Sequence, residues 1–212
     1  MRIEVFYEKW SELHGGAQVK GIVKVWLNIS YWMSRPIVAL RVTPNSLSYI
    51  SILAGAAFLL TAKSDWAIVL LVLSLLLDGI DGSVAILCGK ITRYGALLDS
   101  VADRIVEVFW LLGLFVIGAP WQAILVIWLA SYLQEYMRAR SISLGSTEIL
   151  IVTWSERPVR ASIIFFVLVA RALEIDSIDF TLGATYLLLT LQVSSVVRLF
   201  LALRSHLRQS LH

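Results

Sequence analysis

The chain carries one cysteine, Cys88, in 212 residues, so an intrachain disulfide is impossible and no oxidising compartment is required. Charge is also scarce. Asp, Glu, Lys and Arg together make up 16%, against roughly 25% in ordinary globular proteins. That shortage excludes a disordered tail and an ordinary cytosolic enzyme. The first twenty residues have no continuous apolar core, because Glu4, Glu8 and Glu12 fall among Phe6, Tyr7 and Trp10. No cleavable signal peptide is therefore expected. No internal repeat and no low-complexity linker divides the chain.

Apolar residues, by contrast, reach 58%, and the mean hydropathy is +0.80. Six apolar blocks run from about Asn45 to Ala62, Trp66 to Cys88, Gly95 to Ile117, Ala119 to Tyr136, Pro158 to Leu173 and Phe180 to Leu203. They lack period-two alternation, and only helices or closed barrels satisfy the backbone in hydrocarbon. The expected fold is all-α and integral to a membrane, with six transmembrane helices.

Gly21 to Val42 differs. Val23, Trp26, Leu27, Ser30, Tyr31 and Ser34 share a helical face, with Lys24 and Arg35 at its margins. This reads as an amphipathic helix on the membrane surface, ending near Pro44; the alternative is a seventh, poor span. The expected organisation is an N-terminal juxtamembrane segment over 1–43, a six-helix domain over 44–204 and a tail over 205–212.

Lysine and arginine set the orientation. Arg2, Lys9, Lys20, Lys24, Arg35 and Arg41 precede the first span. Lys90 and Arg93 follow the second, while Arg138, Arg140, Arg157 and Arg160 fall between the fourth and fifth. The tail adds Arg204 and Arg208. The opposite side has Lys63 and Arg171 among Asp65, Glu174, Asp176 and Asp179. Both termini are expected in the cytoplasm.

The chemistry concentrates where spans two and three meet that side. Asp78 and Asp81 are three apart, and Asp99 and Asp103 four apart, so each pair shares a helix face. The short turn between the helices lets them pack antiparallel and bring four carboxylates together. An aspartate at a helix centre costs roughly 2.5–3.5 kcal/mol on insertion scales, less near the interface. Four mutually repelling anions need cations, and hard oxygen ligands suit Mg²⁺ or Mn²⁺. A hydrated, salt-bridged hairpin is the bland alternative. Intramembrane acids also mark cation transporters, but those spread their acids across several helices near the midplane.

The run Asp78-x2-Asp81-Gly82-x2-Ala85, nine further residues, then Gly95-x3-Asp99-x3-Asp103 resembles the signature of the CDP-alcohol phosphotransferases. Seven positions at this spacing arise by chance roughly once in 10⁸ to 10⁹ starting points. The resemblance implies a surface helix followed by six spans, a homodimer, and a cytoplasmic active site. It implies transfer of a substituted phosphoryl group from a CDP-alcohol, here CDP-diacylglycerol, to a second alcohol, with release of CMP. Soluble CDP-inositol is the alternative donor. Two Mg²⁺ ions (Mn²⁺ as the alternative) would sit among Asp78, Asp81, Asp99 and Asp103, with Asp103 as general base. Asn45, Ser48, Asp78, Asp81, Gly82, Ala85 and Gly95 would bind CDP. Taken alone, the Pro44–Ser48 run reads simply as helix-start chemistry.

The acceptor pocket of the phosphatidylinositol-phosphate synthase branch resembles Arg138, Arg140 and Arg198, with Arg157 and Arg160 as further candidates. The implied acceptor is inositol 1-phosphate; glycerol 3-phosphate is the alternative. Arg198, deep in the sixth span, otherwise reads as snorkelling to the interface. One position departs from the family: Ile86 replaces the arginine usual after Ala85. Donor binding should then lean on metal, and Ile86→Arg should leave the fold intact and tighten it. An inactive relative acting as a binding partner is the reading this departure admits.

Glu135 with Arg138 and Arg104 with Glu107 have the spacing of structural ion pairs. His14, His206 and His212 have no ligand spacing. Tryptophan and tyrosine at span ends read as interface belts, and basic charge there meets anionic lipid, not nucleic acid.

Overall fold

A computed structural model describes residues 1–144, 152–175 and 178–209. Asp176, the Arg208 side chain and His212 lie outside the described residues. Every regular element among them is an α-helix: α1 Ile3–Leu13, α2 Gly21–Ala39, α3 Pro44–Leu60, α4 Trp66–Cys88, α5 Arg93–Val116, α6 Trp121–Ser143, α7 Arg157–Ala172 and α8 Ile178–Gln209. The six apolar blocks correspond to α3 through α8. The extra helix is α1, whose Ile3, Phe6, Tyr7 and Trp10 follow helical spacing through the acidic N-terminal segment.

Two stretches are long and apolar enough to cross a membrane on length and composition alone: Trp66–Cys88, and Asp179–Leu207 within α8. A third crossing is possible if α2 and α3, bent by 105° at their break, count as one span. The difference from six has physical causes. α7 has 16 residues, about 24 Å of helix. α5 carries Asp99, Asp103, Arg104 and Glu107 within one stretch.

The chain divides into two compact units, one of residues 1–56 and 72–106, the other of residues 57–71 and 107–212. In the first, α1 lies against α2 and α4. Phe6 is fully buried among Leu27, Tyr31 and Ile86, flanked by Tyr7, Trp10 and Val23. The Phe6 and Tyr31 rings sit 5.4 Å apart, and the Tyr31 hydroxyl donates to the Met1 carbonyl at 2.8 Å. α2 buries Leu27, Ser30, Tyr31 and Ser34 and exposes a stripe of Ile22, Val25, Ile29 and Trp32. α2 also meets α4. Ser83 Oγ donates to Ser30 Oγ at 3.0 Å, and Gly79 admits the Trp26 ring, whose Cζ2 would lie 2.8 Å from an added Cβ.

The start of α3 is locally encoded. Thr43 caps it, accepting from the Ser46 amide at 3.2 Å and meeting its hydroxyl at 2.8 Å. Pro44 occupies the first turn, where its missing N–H costs nothing. Leu47 then packs on Ile80 and Val84 of α4.

The second unit is organised around a polar seam. Gln192 Nε2 donates to Gln134 Oε1 at 2.9 Å, and Gln134 Nε2 to Thr153 Oγ1 at 3.0 Å. The Ser155 amide donates to Ser195 Oγ at 3.0 Å. Arg160, 1% exposed, pairs with Glu107 and donates to the Ser155 carbonyl and to Gln192 Oε1. Arg138 forks onto Glu156 at 2.5 and 2.9 Å and also reaches Glu135 at 3.3 Å, the helical pair expected from spacing. Glu156 further accepts from the amide and hydroxyl of Thr153, each at 2.7 Å.

Burial alone would push the Glu156 carboxyl up, but the Arg138 fork and the two Thr153 donors outweigh it and hold the pKa at about 2. A depressed carboxylate stabilises the fold above its unfolded pKa near 4.5, and that contribution disappears as pH falls through 2. Glu156→Gln should lower the melting temperature in detergent at pH 7. The gap from wild type should close between about pH 4.5 and pH 2.

Burial also reverses the expectation for Ile86. At 3% exposure it packs in the Phe6–Leu27–Tyr31 cluster and borders a cavity that Asp81 also lines, so an arginine would give up that apolar packing even with its head in the cavity. Ile86→Arg should therefore lower the melting temperature, and losing the isoleucine's packing alone should cost about 1.5–3 kcal/mol. Thermal denaturation in detergent tests this.

Candidate functional site

The carboxylates converge as the spacing predicts. Oxygens of Asp78 on α4 and of Asp99 and Asp103 on α5 all lie within 4.8 Å of one another. Asp81 is 7% exposed, accepts a hydrogen bond from Ser48 Oγ at 2.8 Å, and lines the same cavity as Asp99. Arg104 approaches Asp103 at 3.8 Å. Two carboxylate charges 4.8 Å apart repel by about 3 kcal/mol at an effective dielectric near 20. One guanidinium does not neutralise that set, whereas oxygen donors this close match the needs of a hard divalent ion. The donor chemistry thus fits Mg²⁺ or Mn²⁺.

A cavity of about 300 Å³ opens beside the carboxylates, at the lower end of the range for small-molecule sites. Six residues expected to contact CDP line it: Asn45, Ser48, Asp81, Gly82, Ala85 and Gly95. Asp99 lines it as well. The Thr43 cap and Pro44 place Asn45 and Ser48 in the opening turns of α3. The two glycines differ in their surroundings. A Cβ on Gly95 would meet Thr92 Oγ1 at 3.0 Å and Asn45 Oδ1 at 3.3 Å, so close helix approach requires its absence. Nothing lies within 4 Å of a Cβ on Gly82. Its bare backbone leaves free volume in the cavity wall.

Sequence reasoning missed part of this cavity. Trp10, Leu13 and His14 of the α1 region line it, with Trp26 and Lys90. The available signal was the helical spacing of Ile3, Phe6, Tyr7 and Trp10, which carries His14 to the same place.

The candidate acceptor arginines all belong to the second unit. Arg138 is forked to Glu156, and Arg160 is buried on Glu107. Glu107, expected beside Arg104, thus has Arg160 as an ion-pair partner. The Arg157 guanidinium lies over the Trp110 ring at 5.0 Å, and that of Arg198 over Trp154 at 5.1 Å. Arg140 donates to Ser143 Oγ at 3.2 Å and lines a cavity with Tyr136, Phe200 and Arg204. Arg198 lines a different one, with Thr190, Val193 and Val197. The expected arginines are therefore distributed over ion pairs, ring contacts and two cavities.

Known proteins share both the sequence pattern and the fold. The family model for CDP-alcohol phosphatidyltransferase matches residues 41–197. Archaetidylinositol phosphate synthase of Pyrococcus horikoshii is 31% identical over 148 residues, covering 68% of this chain and 78% of that one. Phosphatidylinositol phosphate synthase of Corynebacterium glutamicum is 34% identical over 149 residues, 64% of each chain. The crystal structure of the Mycobacterium tuberculosis phosphatidylinositol phosphate synthase with CDP-DAG bound superposes with a TM-score of 0.70 at 23% identity, covering 83% of this chain and 94% of that one. The same enzyme in complex with manganese and citrate gives 0.69 at 22% identity, covering 82% and 88%. With the signature carboxylates gathered on two helices and the family model spanning most of the sequence, this chain belongs to the CDP-alcohol phosphatidyltransferase family, membrane transferases of phosphate-containing groups.

Proposed function

We propose that this chain transfers a phosphatidyl-type group from CDP-diacylglycerol to inositol 1-phosphate, releasing CMP. The observation carrying the reading is the convergence of Asp78, Asp99 and Asp103, with Asp81 beside Asp99, next to a cavity lined by Asn45, Ser48, Gly82, Ala85 and Gly95. The inositol acceptor rests on the relatives named as inositol phosphate synthases.

In this reading Asp78, Asp81, Asp99 and Asp103 would hold two Mg²⁺ ions, whose charge would offset that of the diphosphate. Asn45 and Ser48 contact the nucleotide, and Gly82 and Ala85 leave it room. Ser48 also holds Asp81 in place. Asp103 takes the proton from the acceptor hydroxyl. Arg138 and Arg160 are committed to Glu156 and Glu107, which leaves Arg140 and Arg198, each lining its own cavity, as the separate candidates for the acceptor phosphate. The working topology is a surface helix over Gly21–Ala39, six crossings formed by α3 to α8, and termini and active site in the cytoplasm. The assembly is a homodimer.

Asp103→Asn should remove turnover by ~10²-fold or more while CDP-lipid binding survives, because a general base acts on the chemical step. Release of CMP by purified protein measures this; a variant turning over like wild type, or wild type active in excess chelator, sinks the mechanism.

Arg140→Ala and Arg198→Ala should each lower kcat/KM for inositol 1-phosphate by roughly 10- to 150-fold, the range of a lost charge-assisted contact. The change should fall mainly on acceptor KM and spare CDP-lipid affinity. A phosphate-free acceptor should respond less. Unchanged kinetics in either variant removes that arginine from the acceptor site.

A further inference from the structure

Part of the cavity lining, on α1 and α2, precedes the residues that the family match covers. The family model begins at residue 41, whereas α1 occupies Ile3–Leu13. From this helix and its C-cap, Trp10, Leu13 and His14 reach the cavity. Phe6 anchors α1 by complete burial against Leu27, Tyr31 and Ile86. Ile86 therefore supplies the apolar seat for α1 at the position where the signature usually carries an arginine.

Trp10 and His14, both in the cavity lining, form a stack. Their ring centroids are 4.0 Å apart and their planes 18° from parallel. His14 is held over Trp10 by the contact of its Nδ1 with the Trp10 carbonyl at 2.8 Å. Asp81 and Asp99 line the same cavity, suited to a metal-bound diphosphate. A ligand with charge at one end and a flat ring at the other matches such a lining. A planar stack is extended by a further aromatic ring, and every nucleobase has such a face.

We propose that α1 forms the base-facing wall of the donor site, with the Trp10–His14 stack packing against the cytosine ring. The inference deepens the proposed phosphotransferase function and rests on it. Trp10 and His14 are positioning residues for the nucleotide and take no part in the chemical step.

The test uses full-length protein in detergent micelles with Mg²⁺. Its probes are CMP and inorganic pyrophosphate, each as an inhibitor of CDP-lipid turnover and as a directly titrated ligand. Loss of a base stack by alanine substitution weakens binding roughly 5- to 150-fold. Trp10→Ala should therefore weaken CMP at least five-fold, and Trp10→Phe should restore most of the loss. Pyrophosphate, which has no base, should bind both variants as it binds wild type. Acceptor KM should not move. His14 is solvent-exposed, so His14→Ala keeps the fold should Trp10→Ala destabilise α1, and it should show the same split between the two probes. Parallel weakening of CMP and pyrophosphate would mean a general structural role and overturn the proposal. Unchanged CMP affinity in both alanine variants of a wild type that binds CMP would overturn it alone. A wild type that neither binds CMP nor releases it would overturn the phosphotransferase reading and this inference together.

Discussion

Three carboxylates whose oxygens fall within 4.8 Å of one another repel strongly, and the first unit is built to hold them there. Two helices must approach closely to do so. Gly95 lets α5 come against Asn45, and the α4 face bearing Asp78 and Asp81 is pinned by Leu47, Ile80 and Val84 on one side. Ser48 secures Asp81 from α3. Packing of apolar side chains thus opposes electrostatic repulsion until a cation compensates it. Such a site is assembled in advance of its ligands, which is what transition-state stabilisation by positioned charge demands.

The second unit handles buried charge differently. Its ions are paired: Glu107 with Arg160, and Glu156 with Arg138. Around them Gln134, Gln192, Thr153 and Ser195 supply neutral donors and acceptors. Breaking such a pair leaves a buried charge without its compensation, which is more costly than replacing both partners together. The contrast separates roles. Charge of one sign collected at one place marks a site for ligands, while charge of both signs interlocked holds helices together.

Much of this was legible in the sequence because it is local. The α4 limits follow from the mainly apolar run between Trp66 and Cys88, which Asp78 and Asp81 interrupt without ending. The pairs Asp78–Asp81 and Asp99–Asp103 are helical neighbours, so their shared faces follow from spacing alone. Glu135 with Arg138 is a pair of the same kind. The rest depends on residues distant along the chain. Glu156 is eighteen positions from Arg138, and no periodicity announces their fork. The same holds for Arg160 and Glu107, so four arginines that look alike in sequence divide among ion pairs and ring contacts only in three dimensions. α1 is the opposite case, a local pattern obscured by its acidic residues. Ile86 stood out as a missing cation, but its meaning required Phe6, eighty positions earlier.

The elbow between α2 and α3 has a mechanical corollary. The turn capped by Thr43 is tight, and the helix axes change direction by 105° across it. Asn45 and Ser48 ride on the short arm immediately beyond the bend. The long arm, α2, presents Ile22, Val25, Ile29 and Trp32 outward. Because Trp26 and Ser30 of α2 also bear on Gly79 and Ser83 of α4, the bend is closed into a triangle of three helices, and the place of Asn45 and Ser48 beside Asp81 is set by packing as well as by the turn.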